Sequence, residues 1–73
     1  MLEAKRVFSL RLRRARQAAG MTQRETAEAL NMGVRHYQDL EAGRTLSSVG
    51  GIMSIADLFD LSTDYLLGRT NHI

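Results

Sequence analysis

The 73-residue sequence contains no cysteine, no proline and no tryptophan, and only two Tyr and two Phe. Without cysteine there are no disulfides, no thiolate zinc ligands and no cysteine nucleophile, so a reducing, cytoplasmic setting is the expectation. No apolar run approaches the roughly 18 residues of a spanning helix, and the N-terminus lacks a signal-peptide core, so no membrane partner is expected. His36 has no partner at ligand spacing and His72 lies near the C-terminus, so neither metal nor cofactor is expected. Catalysis has little to stand on: there is no paired-carboxylate signal and no glycine-rich phosphate cradle, Gly50-Gly51 being too short for one. The length fits a single domain, 1–73, near the lower limit for folding without a covalent or metal staple. It leaves no room for a separate ligand-sensing domain, so no small-molecule ligand is expected.

What is present is unevenly charged. Residues 1–24 carry seven of the ten Lys and Arg against Glu3 alone, a balance of +6. The remaining residues carry three basic against seven acidic side chains, a balance of −4. That asymmetry suits a domain with one side turned to a polyanion, although a solvated basic helix face gives the same count.

The composition, rich in Ala, Leu, Arg and Glu with few β-branched residues, favours an all-α fold with glycine at the breaks. A first helix is expected over about Lys5 to Ala19, with Phe8, Leu12, Ala15 and Ala19 as a narrow apolar stripe, ending at Gly20. Thr22 and Glu25 have capping-box spacing, which starts a two-turn second helix with Thr26, Ala27 and Leu30 inward. After the tight turn Asn31-Met32-Gly33, a third helix runs from about Val34 to Ala42 and stops at Gly43. It buries Tyr37 and Leu40 and exposes Val34, Arg35, Gln38 and Asp39. Ser48 is the expected cap of a fourth helix whose inward face is Val49, Ile52, Ile55, Ala56 and Phe59, flanked by Met53 as core filler. Nothing in the sequence accounts for Gly50 and Gly51 in its first turns. Ser62 and Gly68 bound a short fifth helix, and 69–73 reads as a frayed tail beyond a core of about 5–68.

Two short helices joined by a tight turn and preceded by a basic helix are the parts of a DNA-reading helix-turn-helix. In such a unit the second helix lies in the major groove and the first crosses the backbone. Thr22 and Gln23 are then phosphate candidates at the start of helix two. Arg35 suits guanine O6/N7, Gln38 suits adenine N6/N7, and Val34 suits a thymine methyl. Asp39 repels phosphates, and pairing with Arg35 one turn away is its expected job.

The stretches RLRRARQAAGMTQRETAEAL, NMGVRHYQDLEAGR and SIADLFDLSTDYLLG resemble, in that order, the lambda-repressor-like helix-turn-helix family of the Cro/CI or xenobiotic-response-element type. The resemblance runs from about Phe8 to Gly68. It implies a compact five-helix DNA-binding domain and a transcriptional regulator, a repressor or autoregulator, bound as a homodimer to a pseudo-palindromic double-stranded operator. It places Gln23 at a phosphate, Val34, Arg35, Gln38 and Asp39 at bases, and Arg44 at the backbone after helix three. It also implies that Arg16 of helix one pairs with Glu41 near the end of helix three, locking the reading helix to the scaffold. Ala15 and Thr26 stand where larger aliphatics are usual, which predicts a thin core between helices one and two. The 45–48 loop lacks the usual basic residues and proline. A protein-interaction module that keeps the fold without reading DNA is the competing reading.

Overall fold

The structure, a computed structural model, describes residues 2–73. It is all-helical among those residues: α1 (Leu2–Ala18), α2 (Gln23–Ala29), α3 (Val34–Glu41), α4 (Val49–Phe59) and α5 (Thr63–Leu66). The five-helix expectation is what the chain forms. None of the described helices is long and apolar enough to cross a membrane.

The helix starts follow side-chain chemistry. Thr22 Oγ1 accepts from the Glu25 N–H at 3.0 Å while the Glu25 carboxylate accepts from the Thr22 N–H at 2.8 Å, a complete capping box. Ser48 and Ser62 cap α4 and α5 by accepting from the Gly51 and Tyr65 N–H groups. The helix ends share one device. After each of the five, a residue with φ between 56° and 79° turns the chain back: Gly20, Asn31, Gly43, Asp60 and Gly68. The following N–H then reaches the carbonyl five residues earlier, as in Met21 to Arg16 (3.2 Å) and Arg44 to Asp39 (3.0 Å), which is the Schellman closure.

The core is one cluster drawn from every helix: Phe8 and Leu12 of α1, Ala27 of α2, Tyr37 and Leu40 of α3, Ile52, Ile55 and Ala56 of α4, and Leu66 of α5. Each of the large apolar side chains contributes about 1.5–3 kcal/mol by leaving water, which is what holds helices too short to survive alone. Thr26 is fully buried, and its hydroxyl donates to the Thr22 carbonyl at 2.9 Å, so this buried polar atom is satisfied.

Several expectations are corrected. Helix α1 begins at Leu2, earlier than Lys5, and ends at Ala18; Ala19 lies outside it and is exposed, so the inward stripe is carried by Phe8 and Leu12. Val49 and Met53 are not core: they are 76% and 55% exposed, because α4 turns only Ile52, Ile55 and Ala56 fully inward. Gly51 has a reason invisible in the sequence, since a Cβ there would run into Ser47 Oγ, whereas nothing approaches Gly50. The 69–73 segment is tied down. The Arg11 guanidinium donates to the Thr70 carbonyl (2.7 Å), to Asn71 Oδ1 (2.8 Å) and to the Tyr65 carbonyl, and it stacks 4.2 Å over the Tyr65 ring. The Ser62 N–H closes the segment by donating to the Ile73 carbonyl at 2.8 Å.

Candidate nucleic-acid interface

Helix α3 has two faces with different jobs. Tyr37, Leu40 and Glu41 are buried, while Arg35, His36 and Gln38 are exposed one turn apart or less. Among the described residues Arg35 forms no ion pair, so its guanidinium fork is open to solvent.

The buried face is fixed by a charge. Glu41 has a side chain only 1% exposed, and it is surrounded by donors from three helices. Arg16 of α1, itself 15% exposed, grips it with two bonds, Nε to Oε2 at 2.6 Å and a terminal nitrogen to Oε1 at 3.1 Å. The Tyr37 hydroxyl donates to Oε2, and Gln23 Nε2 of α2 donates to Oε1 at 3.2 Å. Arg13 approaches Oε1 at 3.6 Å from its half-exposed position. Burial alone would push the Glu41 carboxyl up; the hydrogen bonds from Arg16, Tyr37 and Gln23, with the Arg16 charge, outweigh it and hold the group below its ordinary value. The same contact raises Arg16, and burial followed by the bond to Glu41 pushes the Tyr37 phenol strongly up. Arg16 also donates to the Met21 carbonyl at 3.0 Å, so one guanidinium clamps both the α1–α2 turn and the end of α3. No buried side-chain polar atom among the described residues lacks a partner.

The remaining candidates are placed as follows. Thr22 is exposed, with its Oγ1 engaged as the α2 cap. Gln23 is half-buried, and besides reaching Glu41 its Oε1 accepts from Gln38 Nε2 at 3.3 Å. Val34, expected on the open face, is half-buried and packs against the core from the first turn of α3. Asp39 does not pair with Arg35. It pairs with Arg44 at 2.9 Å, because the turn at Gly43 folds the chain back over the last turn of α3 and brings residue 44 beside residue 39. Arg44 remains largely exposed in that pair.

Sequence reasoning missed Tyr37, Arg13 and Gln23 as partners of Glu41. Two weak signals existed. Tyr37 and Glu41 have i,i+4 spacing, and Arg13 stands three residues before Arg16 on the same side of α1. That Gln23 comes to the same carboxylate depends on how α2 crosses α3, which no local pattern carries.

Comparison with known proteins places this geometry in context. The profile of a family described as helix-turn-helix matches residues 12–66. The chain is 41% identical over 59 residues to the HTH-type transcriptional regulator ImmR of Bacillus subtilis, covering 81% of this chain and 46% of that one. It is 32% identical over 59 residues to the cryptic phage CTXphi transcriptional repressor RstR of Vibrio cholerae, covering 81% and 53% respectively. The uncharacterized HTH-type transcriptional regulator YobD of Bacillus subtilis is 31% identical over 65 residues, 89% of this chain and 58% of that one. The chain thus spans about half the length of the curated relatives it matches. No solved structure matches it at the same stringency.

Proposed function

We propose, for a chain that belongs to the helix-turn-helix family, that residues 1–73 form a single non-enzymatic domain that reads double-stranded DNA to regulate transcription in the cytoplasm. The names of ImmR and RstR, a regulator and a repressor, support this reading. The observation that carries it is the exposure of Arg35 and Gln38 on a helix whose other face is pinned by Glu41 and Arg16. A reading helix must present base-edge donors and acceptors while staying rigid against its scaffold, and α3 does both.

In this account α3 enters the major groove. Arg35 donates its fork to guanine, Gln38 meets adenine, and half-buried Val34 offers its remaining surface to a thymine methyl at the edge of the contact. Arg44 contacts the phosphate backbone, with Asp39 as its orienter; the carboxylate is thereby neutralised where it would otherwise repel the duplex. Thr22 and the second amide hydrogen of Gln23 face the adjacent phosphate. Two copies of the chain bind the operator as a homodimer, for which the exposed Val49 and Met53 supply uncharged, apolar contact surface.

Arg35→Ala and Arg44→Ala separate base reading from backbone contact. Arg35→Ala is expected to relax preference at one base pair per half-site by about tenfold or more, whereas Arg44→Ala weakens all sequences alike. Uniform loss from both would show that Arg35 is not a reader.

A further inference from the structure

We infer that Glu41 fixes, through Gln23, which way round the Gln38 amide faces, and so acts as a positioning residue for base choice; this rests on the reading of Gln38 as a base contact. The chain of atoms is short. Gln23 Nε2 donates to Glu41 Oε1 at 3.2 Å, and Gln23 Oε1 accepts from Gln38 Nε2 at 3.3 Å. An ionised carboxylate only accepts, so the nitrogen end of Gln23 must face Glu41. That turns the oxygen end of Gln23 toward Gln38, which answers with its own nitrogen. The polarity of both amides therefore follows from the charge on Glu41 and not from an arbitrary choice between two similar ends.

The consequence lies at the outer end. With one Nε2 hydrogen engaged by Gln23, Gln38 presents its free Oε1 and its second N–H side by side. An acceptor beside a donor complements adenine, whose N6 donates and whose N7 accepts. Were the relay reversed, Gln38 Oε1 would accept from Gln23 through one lone pair, and the outward donor and acceptor would exchange places, out of register with adenine N6 and N7. The buried carboxylate, which touches no base, thus favours adenine at the pair Gln38 meets. Its ionisation is secured by the bidentate Arg16 grip and the Tyr37 hydroxyl.

The test uses the best duplex from a random-sequence selection, with each base pair of one half-site replaced in turn, and five proteins: wild type, Gln38→Ala, Gln23→Met, Glu41→Gln and the double variant carrying both Gln38→Ala and Gln23→Met. Circular dichroism establishes which variants are folded. Gln38→Ala should flatten preference at one base pair. Gln23→Met keeps the side-chain length and removes the relay, and it should lower adenine-over-guanine preference at that same pair about three- to tenfold. Preference at the pair read by Arg35 should stay at the wild-type value. Glu41→Gln, whose amide can donate to Gln23 and release the fixed polarity, should lower adenine preference at the same pair. In the Gln38→Ala background, Gln23→Met should leave base preference unchanged and only weaken all duplexes equally. If Gln38→Ala changes preference while Gln23→Met does not, the relay is wrong and the DNA reading stands. If Gln23→Met lowers preference at every pair, its effect is general and the relay is again wrong. If Gln38→Ala changes nothing, Gln38 is not a reader and both fail.

Discussion

Glu41 is the residue on which the rest of the site turns, and its energetics follow from burial. A carboxylate with a 1% exposed side chain, held by two bonds from an arginine that is itself mostly covered, is not a surface ion pair of small value. Removing one partner strands the other charge, at a cost of about 3–5 kcal/mol. A domain of this size has a total stability of roughly 4–11 kcal/mol, so Glu41→Ala should lower the urea midpoint sharply. An unchanged midpoint would show that the pair is energetically idle. Acid tests the same residue. Because the folded-state pKa lies below the unfolded value, the contribution of Glu41 is complete above the unfolded pKa of about 4.3 and is lost as the pH falls through the folded value. Glu41→Gln should therefore flatten the acid limb of the stability profile, and a limb as steep as that of the wild type would contradict the assignment. The pairing of Arg16 with Glu41 was legible in the sequence through the family resemblance. The convergence of Arg13, Gln23 and Tyr37 was not, since it depends on three helices meeting at one point.

Helix limits were the most legible feature of the elements, because caps are local chemistry. Thr22, Ser48 and Ser62 were found as starts, and Gly20, Gly43 and Gly68 as stops. Asn31 and Asp60 were read only as parts of breaks, yet they adopt the same left-handed conformation without being glycine. Replacing either by glycine should remove up to about 1 kcal/mol of backbone strain and raise Tm; a fall in Tm would mean that the side chain itself stabilises the turn. The α4 glycines behave differently from one another. Gly50→Ala meets nothing and should stabilise by about 1 kcal/mol, while Gly51→Ala pushes into the nearly buried Ser47 hydroxyl and should forgo that gain. Equal changes in Tm for the two would contradict the close approach. The sequence overestimated the width of the buried faces of α1 and α4, putting Ala19, Val49 and Met53 inside. Periodicity reports which side of a helix is apolar, but the number of neighbours available to cover that side is a property of the assembled fold. The 69–73 segment escaped for a similar reason: Arg11, which holds it, lies about 60 residues away in the chain.

At the scale of the whole molecule, the +6 balance of residues 1–24 supplies a field for drawing in a polyanion, and the fold spends part of it internally. Arg16 is committed to Glu41 and Arg11 to the C-terminal carbonyls. The fold class was fully legible, because helix-favouring composition, glycine punctuation and capping agree with one another. The site was legible only in part: the exposed face of α3 was read from spacing, but which of its residues are free and which are paired was not. Phosphate contact has its own signature. A dimer that neutralises about six to eight phosphates should show log K falling against log salt with a slope near −5 to −7, and a slope near zero would remove the electrostatic basis of the account. The most direct test of the central claim, that the exposed face of α3 reads duplex DNA, is selection of bound sites from a random duplex library by the wild-type chain. The account predicts enrichment of an inverted repeat whose half-sites are centred about 10–10.5 base pairs apart, with guanine and adenine among the specified positions. Recovery of no enriched sequence would contradict it and leave a protein-interaction module as the role of this fold.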